Sequence, residues 1–233
     1  MIILSKFAFG MTVKMNQVTI KGIRGLAAAD VVTAEQLGYT VKLIGSTIKR
    51  TDGIAVEVSP VLVPSTHPLA SIHNEMNAVF IKSSGIGESM YYGPGAGARP
   101  TATSIVADLM TIVNKIQRDT IGHRFTEYTQ PTKLIPANKI MSKYFLSLEV
   151  PDEPGQFLKL AEILTRLKVG FEQVVQEKSQ SKNARVVLVT HETSETNIEA
   201  IKKAINEEKG FTLLSSMKVM GCLLYTSPSP RDA

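Results

Sequence analysis

The residues best suited to binding chemistry lie in a glycine-rich segment, Tyr-Tyr-Gly-Pro-Gly-Ala-Gly-Ala-Arg-Pro-Thr, at positions 91–101. Gly93, Gly95 and Gly97 occupy alternate positions, and a run of residues with helical spacing follows them. Residues without a Cβ let the backbone turn tightly and let a ligand approach closely. The start of the following helix would present N–H groups and the positive end of its dipole. The segment therefore predicts a site for phosphate or another polar group of a cofactor.

The spacing of these glycines leaves a second interpretation open. Gly-x-Gly-x-Gly differs from the dinucleotide-binding pattern Gly-x-Gly-x-x-Gly, and it does not open a strand–helix–strand unit with an acidic residue about 20 positions later. Pro94 and Pro100 would fix backbone angles in a plain strand-to-helix turn. The pattern alone does not choose between a cradle for a ligand and a tight connection.

The bulk composition excludes several classes of function. The chain has 233 residues, of which 43% are hydrophobic and 20% charged, and these values are ordinary for a globular protein of one or two domains. The net charge of +5 is scattered without a basic run, so no nucleic-acid partner is expected. No apolar stretch reaches the roughly 18 residues of a membrane helix, and no signal peptide opens the chain, so no membrane partner is expected.

Metal and disulfide chemistry are not expected either. Cys222 is the single cysteine, which excludes an internal disulfide framework and a cysteine-based metal site. His67 and His73 lack the i,i+4 spacing of a metal-binding pair. We therefore predict no metal site.

The elements that would hold the glycine segment form an α+β unit over residues 1–122, with a mixed or antiparallel sheet and helices on one side. Asp52-Gly53 is a hairpin signal between two alternating runs. Asp30 or Thr33 is expected to cap the second helix. Helices are predicted at 1–10, 28–37 and 101–117, strands at 18–23, 39–48, 54–62, 78–82 and 88–92, a loop at 64–69 and a helical turn at 71–76.

A second unit, residues 143–221, shows the order βαββαβ of the ferredoxin-like arrangement. Ser194, with Asn197 three residues later, resembles a capping box at the start of its second helix. Residues 123–142 are polar, contain two prolines and are interpreted as a linker. The six elements are predicted at 144–150, 156–167, 171–177, 184–191, 194–206 and 211–220, with a hairpin turn at 179–183.

The last twelve residues, 222–233, continue no periodicity. Their sequence resembles the translation of a transposase sequencing adapter read through in frame, and we exclude it from fold reasoning. A genuine disordered tail is the alternative. Cys222 falls within this segment and then carries no evidence about redox chemistry.

Six short strings carry a family resemblance through their order and spacing. They are Leu-Gly-Tyr-Thr-Val-Lys-Leu-Ile-Gly at 37–45, His-Pro-Leu-Ala at 67–70, Asn-Ala-Val at 77–79, Tyr-Gly-Pro-Gly-Ala-Gly at 92–97, Pro-Thr-Ala-Thr at 100–103 and Val-Ala-Asp-Leu at 106–109. Together they resemble the bacterial homoserine dehydrogenases that carry a C-terminal ACT domain. The resemblance covers about residues 1–221. It implies a substrate and dimerisation domain at 1–122 and an ACT domain at 143–221.

The resemblance implies a cytoplasmic, NAD- or NADP-dependent oxidoreductase that interconverts L-homoserine and L-aspartate 4-semialdehyde in threonine and methionine biosynthesis. Its partners would be an amino-acid substrate and further copies of itself, as a dimer or tetramer, with the homodimer formed by the sheet at 39–62. The family's Rossmann domain has no counterpart in the 233 residues, and its catalytic lysine is expected just before Met1. We therefore expect a fragment that is inactive alone, and no catalytic role for Lys6.

The resemblance also assigns residues to the cofactor. Gly97 is expected to contact it, with Gly95, Ala96 and Thr101 nearby. Arg99 would lie either near a cofactor phosphate or in solvent. This cofactor contact is the role that the resemblance gives to the glycine-rich segment.

The ACT assignment depends on Asp152-Glu153-Pro154-Gly155, which follows the first strand of the second unit. In ACT modules this turn forms part of an amino-acid effector site, with threonine as the natural candidate. Gly155 opens the next helix, whose N–H groups could bind a carboxylate, and Asp152 would either cap that helix or contact the effector. An amino-acid-binding regulatory module on a dimerisation scaffold is thus the alternative function, and a turn that only connects two elements is the plain interpretation.

Overall fold

The structure, a computed structural model, describes residues 1–122, 129–178 and 183–221. Part of the predicted linker, most of the predicted turn at 179–183, and the tail at 222–233 lie outside the described residues. The chain forms two compact units, one comprising Met1–Pro64 and Gln130–Ala233 and the other Ser65–Thr129. The domain boundaries drawn from the sequence stay predictions.

The first part of the chain contributes two helices and a long hairpin. Its elements are α1 (Ile2–Phe9), β1 (Thr19–Ile20), α2 (Ala28–Gln36), β2 (Tyr39–Arg50) and β3 (Gly53–Pro64). The hairpin pairs antiparallel from Tyr39↔Pro64 to Arg50↔Gly53, so Asp52 and Gly53 turn the chain as their types indicate. Both hairpin strands run two residues beyond the predicted ends, whereas β1 has two residues where six were predicted.

The unit Ser65–Thr129 contains a second hairpin and the longest helix of the described residues. After a short 3₁₀ helix at Pro68–Ser71 come β4 (Met76–Ser83), β5 (Gly87–Pro94) and α3 (Ala98–Gln117). β4 and β5 form a two-stranded antiparallel sheet in the register Met76↔Pro94 to Ser83↔Gly87. The glycine-rich segment joins β5 to α3.

The remaining elements confirm the predicted order βαββαβ. They are β6 (Met141–Pro151), α4 (Gln156–Arg166), β7 (Phe171–Lys178), β8 (Asn183–Thr190), β9 (Thr193–Ser194), α5 (Glu195–Glu207) and β10 (Thr212–Val219). The short β9 pairs with the start of β6 and was not predicted. The four main strands lie in the order β10-β6-β8-β7, and all neighbours are antiparallel.

One mixed sheet joins the two stretches of the first unit. β3 pairs with β2 along its whole length, and it also pairs in parallel with β1 at Glu57–Val58 and with β10 at Val61–Leu62. Eight strands therefore form a continuous sheet in the order β1-β3-β10-β6-β8-β7, with β2 and β9 on branches. The predicted α+β class with a mixed sheet is confirmed. The parallel pairing between β3 and β10 has no sequence signal and comes from tertiary structure.

Both faces of the βαββαβ sheet are covered by apolar side chains. On one face, α4 and α5 pack Leu160, Leu164, Ile198 and Ile201 against alternate residues of β6 and β8. On the other face, Ala34 of α2 packs among Phe145, Val187, Val189 and Met217. The four strands are thus enclosed between helices from both ends of the chain.

A buried ionic network fastens α2 to this sheet. The Arg185 guanidinium on β8 donates to Asp30 at 2.5 Å, to Glu177 at 2.6 Å and to the hydroxyls of Thr33 and Ser147 at 2.9 and 3.1 Å. The side chains of Asp30 and Arg185 are 1% and 13% exposed. A charge this deeply buried requires a hydrogen-bonded partner, so Asp30 and Arg185 depend on each other.

Three local predictions are wrong. Ala27, not Asp30 or Thr33, is the N-cap residue of α2, so both predicted caps lie inside the helix, where Arg185 binds them. No helical turn covers 71–76: Pro68 starts the turn earlier, as its preset φ favours, and Met76 already lies in β4. α3 begins at Ala98, three residues before the predicted Thr101. No helix among the described residues is long and apolar enough to cross a membrane.

A glycine-rich loop as the candidate functional site

Gly97 has a backbone conformation that other residues rarely adopt. It occupies the N-cap position of α3 with φ of 120° and ψ of 161°. This region of backbone space is essentially restricted to glycine, since a Cβ would clash with the neighbouring peptide groups. An ideal Cβ at Gly97 would lie 3.6 Å from Pro100 Cδ, so the constraint is conformational rather than a lack of space.

Gly95 differs from Gly97, because its constraint is the close approach of the Asn77 side chain. A Cβ at Gly95 would lie 1.8 Å from Asn77 Nδ2, so a larger residue there would displace the Asn77 amide. The Asn77 amide donates to the Glu75 carbonyl at 3.2 Å, and the Gly95 N–H donates to the same oxygen at 3.3 Å. β4 thereby fixes the start of the loop through Asn77, a positioning role that the glycine spacing did not reveal.

The loop and the start of α3 are open to solvent. Gly95, Ala96, Gly97 and Thr101 are all exposed, and the N-cap residue of α3, Gly97, has no side chain to cap the helix. The N–H groups of a helix's first turn have no acceptor within the helix and attract anions. Pro100 has no N–H, and the Thr101 N–H already donates to the Gly97 carbonyl at 3.1 Å. The N–H groups that remain available to a ligand are those at the start of α3, next to Gly97.

Most hydroxyl groups of the following helix turn back to its own backbone. Thr103 donates to the Arg99 carbonyl at 2.9 Å and Ser104 to the Pro100 carbonyl at 3.0 Å. Arg99 is exposed, which is compatible with a position in solvent and with one near a cofactor phosphate. Thr101 is therefore the hydroxyl best placed to contact a ligand at the loop.

An exposed apolar face runs along α3 behind the loop. Seven of its large apolar side chains are between 48% and 62% exposed, and the helix contains no buried residue. They are Ile105, Val106, Leu109, Met110, Ile112, Val113 and Ile116. Contiguous apolar surface of this kind marks a place where another surface packs.

The two remaining candidate positions differ in their surroundings. Lys6 lies exposed on α1, while its neighbour Ser5 is buried and donates to Thr47 of β2 at 3.0 Å. Asp152 is exposed and does not cap α4, which has Gly155 at its N-cap position with φ of 89° and no side-chain cap. Next to Gly155, the Gln156 Oε1 atom is buried without a hydrogen-bond donor among the described residues. Sequence reasoning did not single out Gln156.

The fold and the loop together define an α+β protein with a glycine-only turn between a strand and a helix. The sequence pattern of the homoserine dehydrogenase family matches residues 1–110. Two similar proteins are the homoserine dehydrogenases of Lactococcus lactis subsp. lactis (strain IL1403), 47% identical, and Bacillus subtilis (strain 168), 38% identical. The alignments cover 94% and 89% of this chain and 51% and 48% of those relatives.

Solved structures agree with this assignment. The crystal structure of a homoserine dehydrogenase from Thiobacillus denitrificans superposes with a TM-score of 0.83 at 30% identity, over 94% of this chain and 51% of the other. A homoserine dehydrogenase from S. aureus superposes with a TM-score of 0.66 at 26% identity, over 95% and 52%. The chain belongs to the homoserine dehydrogenase family, and it spans about half the length of the relatives that it matches.

Proposed function

We propose that these residues are part of an NAD(P)-dependent homoserine dehydrogenase that interconverts L-homoserine and L-aspartate 4-semialdehyde. The observation that carries the proposal is the conformation of Gly97 at an uncapped, exposed helix start. Such a turn leaves room for a ligand against the backbone and aims N–H groups at it. The family assignment supplies the ligand class, a nicotinamide dinucleotide.

In this proposal the loop forms one wall of the cofactor cleft. Gly97 lies closest to the cofactor, Gly95 and Ala96 shape the approach, and the Thr101 hydroxyl offers a hydrogen bond. Asn77 holds the loop in position through its close contact with Gly95 and the shared Glu75 carbonyl. The cofactor supplies the hydride chemistry when bound, and the residues of this chain bind and orient it.

The apolar face of α3 supports a second part of the proposal. Seven exposed apolar side chains on one 20-residue helix need a covering surface. We infer that the family's dinucleotide-binding domain packs there, which would bring the loop to the edge of the cofactor site. On this view the 233 residues alone bind the cofactor weakly and do not turn over homoserine.

A chimera tests the proposed function directly. The chain is joined in frame to the half of the Lactococcus lactis relative that it does not match, and homoserine-dependent NADPH formation is measured. We expect activity from the chimera and none from the chain alone. Gly97→Val should lower the chimera's kcat/KM by about a hundredfold, because displaced contacts misplace the cofactor.

The matched control is Gly93→Ala, since Gly93 has ordinary backbone angles and open space around its Cβ position. It should retain most of the activity. Full activity in the Gly97→Val chimera would remove the loop from the cofactor site, and turnover by the chain alone would refute the proposed need for a second domain.

A specific observation also favours the amino-acid-binding function. We propose that the βαββαβ unit is an ACT domain whose effector binds at the turn Asp152–Gly155. The strand order β10-β6-β8-β7 and the start of α4 at Gly155 support it, as does the buried Gln156 Oε1, which has no donor among the described residues. An amino acid offers a carboxylate to the helix N–H groups and an ammonium group to this oxygen. Calorimetry and thermal shift of the chain with L-threonine test it, with D-threonine as the control. The absence of both heat and shift would leave the unit structural.

We further propose that the protein is a homo-oligomer that associates through the β2–β3 hairpin. Leu43 and Ile48 of β2 are 53% and 36% exposed, and exposed apolar side chains grouped on one strand favour contact with another surface. Sedimentation velocity should show a dimer or larger species, and Leu43→Lys should shift it toward monomer. A monomeric parent chain at micromolar concentration would contradict this assignment.

A further inference from the structure

A small polar cavity lies where β3 meets the βαββαβ sheet. β1 pairs with β3 at Glu57–Val58 and β10 pairs with it at Val61–Leu62, which leaves Ser59 and Pro60 unpaired along that edge. Pro60 has no N–H to offer a neighbouring strand. The two strands therefore separate at this point, and the cavity occupies the gap.

Two buried hydroxyl groups belong to residues that line this cavity. Tyr144 is 2% exposed, and its hydroxyl has no hydrogen-bond partner within the described part of the chain. The Ser216 hydroxyl is buried and equally without a partner there. Tyr144 pairs with Lys218 across β6 and β10, and Ser216 is two residues from Lys218, so all three side chains share one face of the sheet. Leaving a hydroxyl buried and unpaired costs about 1–3 kcal/mol.

The charged groups around the cavity balance one another. Lys218 forms an ion pair with Glu57 and lies 4.0 Å from Glu195. Lys21 also lines the cavity, and burial, helped by the nearby Lys202 ammonium, lowers its pKa. Two carboxylates face two ammonium groups, so the surroundings favour neither a metal cation nor an anion.

The size of the cavity restricts its occupant further. Its volume is about 10 Å³, close to the minimum that holds a single water molecule and far below that of an amino acid. The occupant must be small, neutral and able both to donate and to accept hydrogen bonds.

We propose that the cavity binds one ordered water molecule, which bridges the hydroxyl groups of Tyr144 and Ser216 and links the edge of β3 to β6 and β10. Ser59 also lines the cavity, and its hydroxyl, which donates to Glu57 at 3.4 Å, can accept a hydrogen bond from the water as the third partner. Buried waters in proteins typically make about three hydrogen bonds. This water site joins residues matched by the homoserine dehydrogenase pattern to the βαββαβ unit, and it is independent of the proposed enzymatic function.

Thermal unfolding of the whole chain distinguishes a water-filled from a dry cavity. If the water is bound, Tyr144→Phe breaks the bridge and lowers Tm by about 2–4 °C. If the cavity is dry, the same change removes an unpaired hydroxyl and leaves Tm unchanged or higher. Tyr91→Phe is the matched control, because Tyr91 is 70% exposed and should not alter Tm.

A double-mutant cycle with Ser216→Ala adds a second test. A shared water predicts that the double variant loses less than the sum of the single losses, whereas two unrelated hydroxyls predict additivity. In a high-resolution crystal structure, density within about 2.7–3.2 Å of both hydroxyl oxygens is the expected result. A Tyr144→Phe variant as stable as the parent, additive losses, or an empty density map would each overturn the proposal.

Discussion

Two helices of this protein, α5 and α3, carry similar apolar patterns and have opposite surroundings. Ile198, Ile201 and Ile205 of α5 are 0% exposed, because they pack against the strands of the βαββαβ sheet. On α3, Ile105, Leu109 and Ile112 are about half exposed. Helical periodicity therefore identifies a helix and its apolar face, but it does not reveal what covers that face.

The two helices belong to regions that differ in how fully their apolar side chains are covered. The βαββαβ sheet has apolar cover on both faces and a buried ionic network. The unit Ser65–Thr129 has a two-stranded hairpin and a helix without a buried residue. An isolated hairpin is marginally stable in water, so the unit that holds the glycine loop should open more readily than the sheet.

The largest expected effect comes from breaking the buried network in the complete region. Arg185→Met leaves the Asp30 carboxylate buried without its partner and should lower the free energy of unfolding by about 3–5 kcal/mol. Urea denaturation measures the loss. Lys115→Met on the exposed α3 is the control and should change the value by less than about 0.5 kcal/mol. Adding Asp30→Asn to Arg185→Met should recover part of the loss, and no recovery would contradict the assigned partnership.

A matched pair of apolar truncations tests the two helices directly. Ile201→Ala in α5 should cost about 2–5 kcal/mol, since it opens a cavity in a packed core. Ile112→Ala in α3 should stay within about 0.5 kcal/mol in this chain. Equal losses of stability at the two positions would mean that a second copy of the chain covers α3. Sedimentation of the same samples would then show a dimer or larger species.

A substitution in the glycine loop should lower local stability through backbone strain, with little change in side-chain packing. Gly97→Ala places a Cβ on a backbone with φ of 120° and should cost about 1–3 kcal/mol of local stability. Hydrogen exchange of the β4–β5 amides measures the local effect. Gly93→Ala, at ordinary backbone angles, should leave exchange nearly unchanged, and equal acceleration by both variants would contradict the strain argument.

The smallest expected effect is a pH dependence at the surface of the sheet. The hydrogen bond from Lys143 lowers the pKa of Glu172 below its ordinary value of 4.5, with His191 adding to the shift. Because the folded pKa is depressed, the stabilisation is complete above that value and is lost as the pH falls through the folded pKa. Such pairs contribute about 0.2–1 kcal/mol. Glu172→Gln should flatten the dependence of stability on pH below pH 4.5. Urea midpoints measured across this pH range test the expectation. An unchanged pH dependence would exclude the Lys143–Glu172 pair as the cause of the acid destabilisation.

Local signals predicted the elements well wherever the neighbouring residues alone decide the conformation. Asp52-Gly53 marked the long hairpin, and Ser194 accepts from the Asn197 N–H at 3.1 Å, as its position before a helix predicts. The same logic failed for Asp30, because α2 already begins at Ala28 and the Asp30 carboxylate, inside the first turn, binds Arg185 from 155 positions away. Side chains with two competing uses cannot be assigned from local sequence.

The candidate site was predictable in part for the same reason. The alternate glycines located the loop, and the requirement at Gly97 is a local backbone property. Asn77, whose amide lies against Gly95, is on another strand, and this contact forms only when β4 and β5 pair. The buried groups at Gln156, Tyr144 and Ser216 have no sequence signature, because burial without a partner in the described part of the chain is a property of packing.

By itself, the amino-acid sequence determined the α+β class, the order βαββαβ and the position of the glycine loop, since periodicity, turn residues and missing Cβ atoms act over a few neighbours. Only the tertiary structure decided that β3 pairs with β10, that α2 fastens to the sheet through Arg185, and that the apolar face of α3 stays exposed. Those outcomes depend on residues far apart in the chain, whose burial and pairing are settled only when the strands and helices pack together.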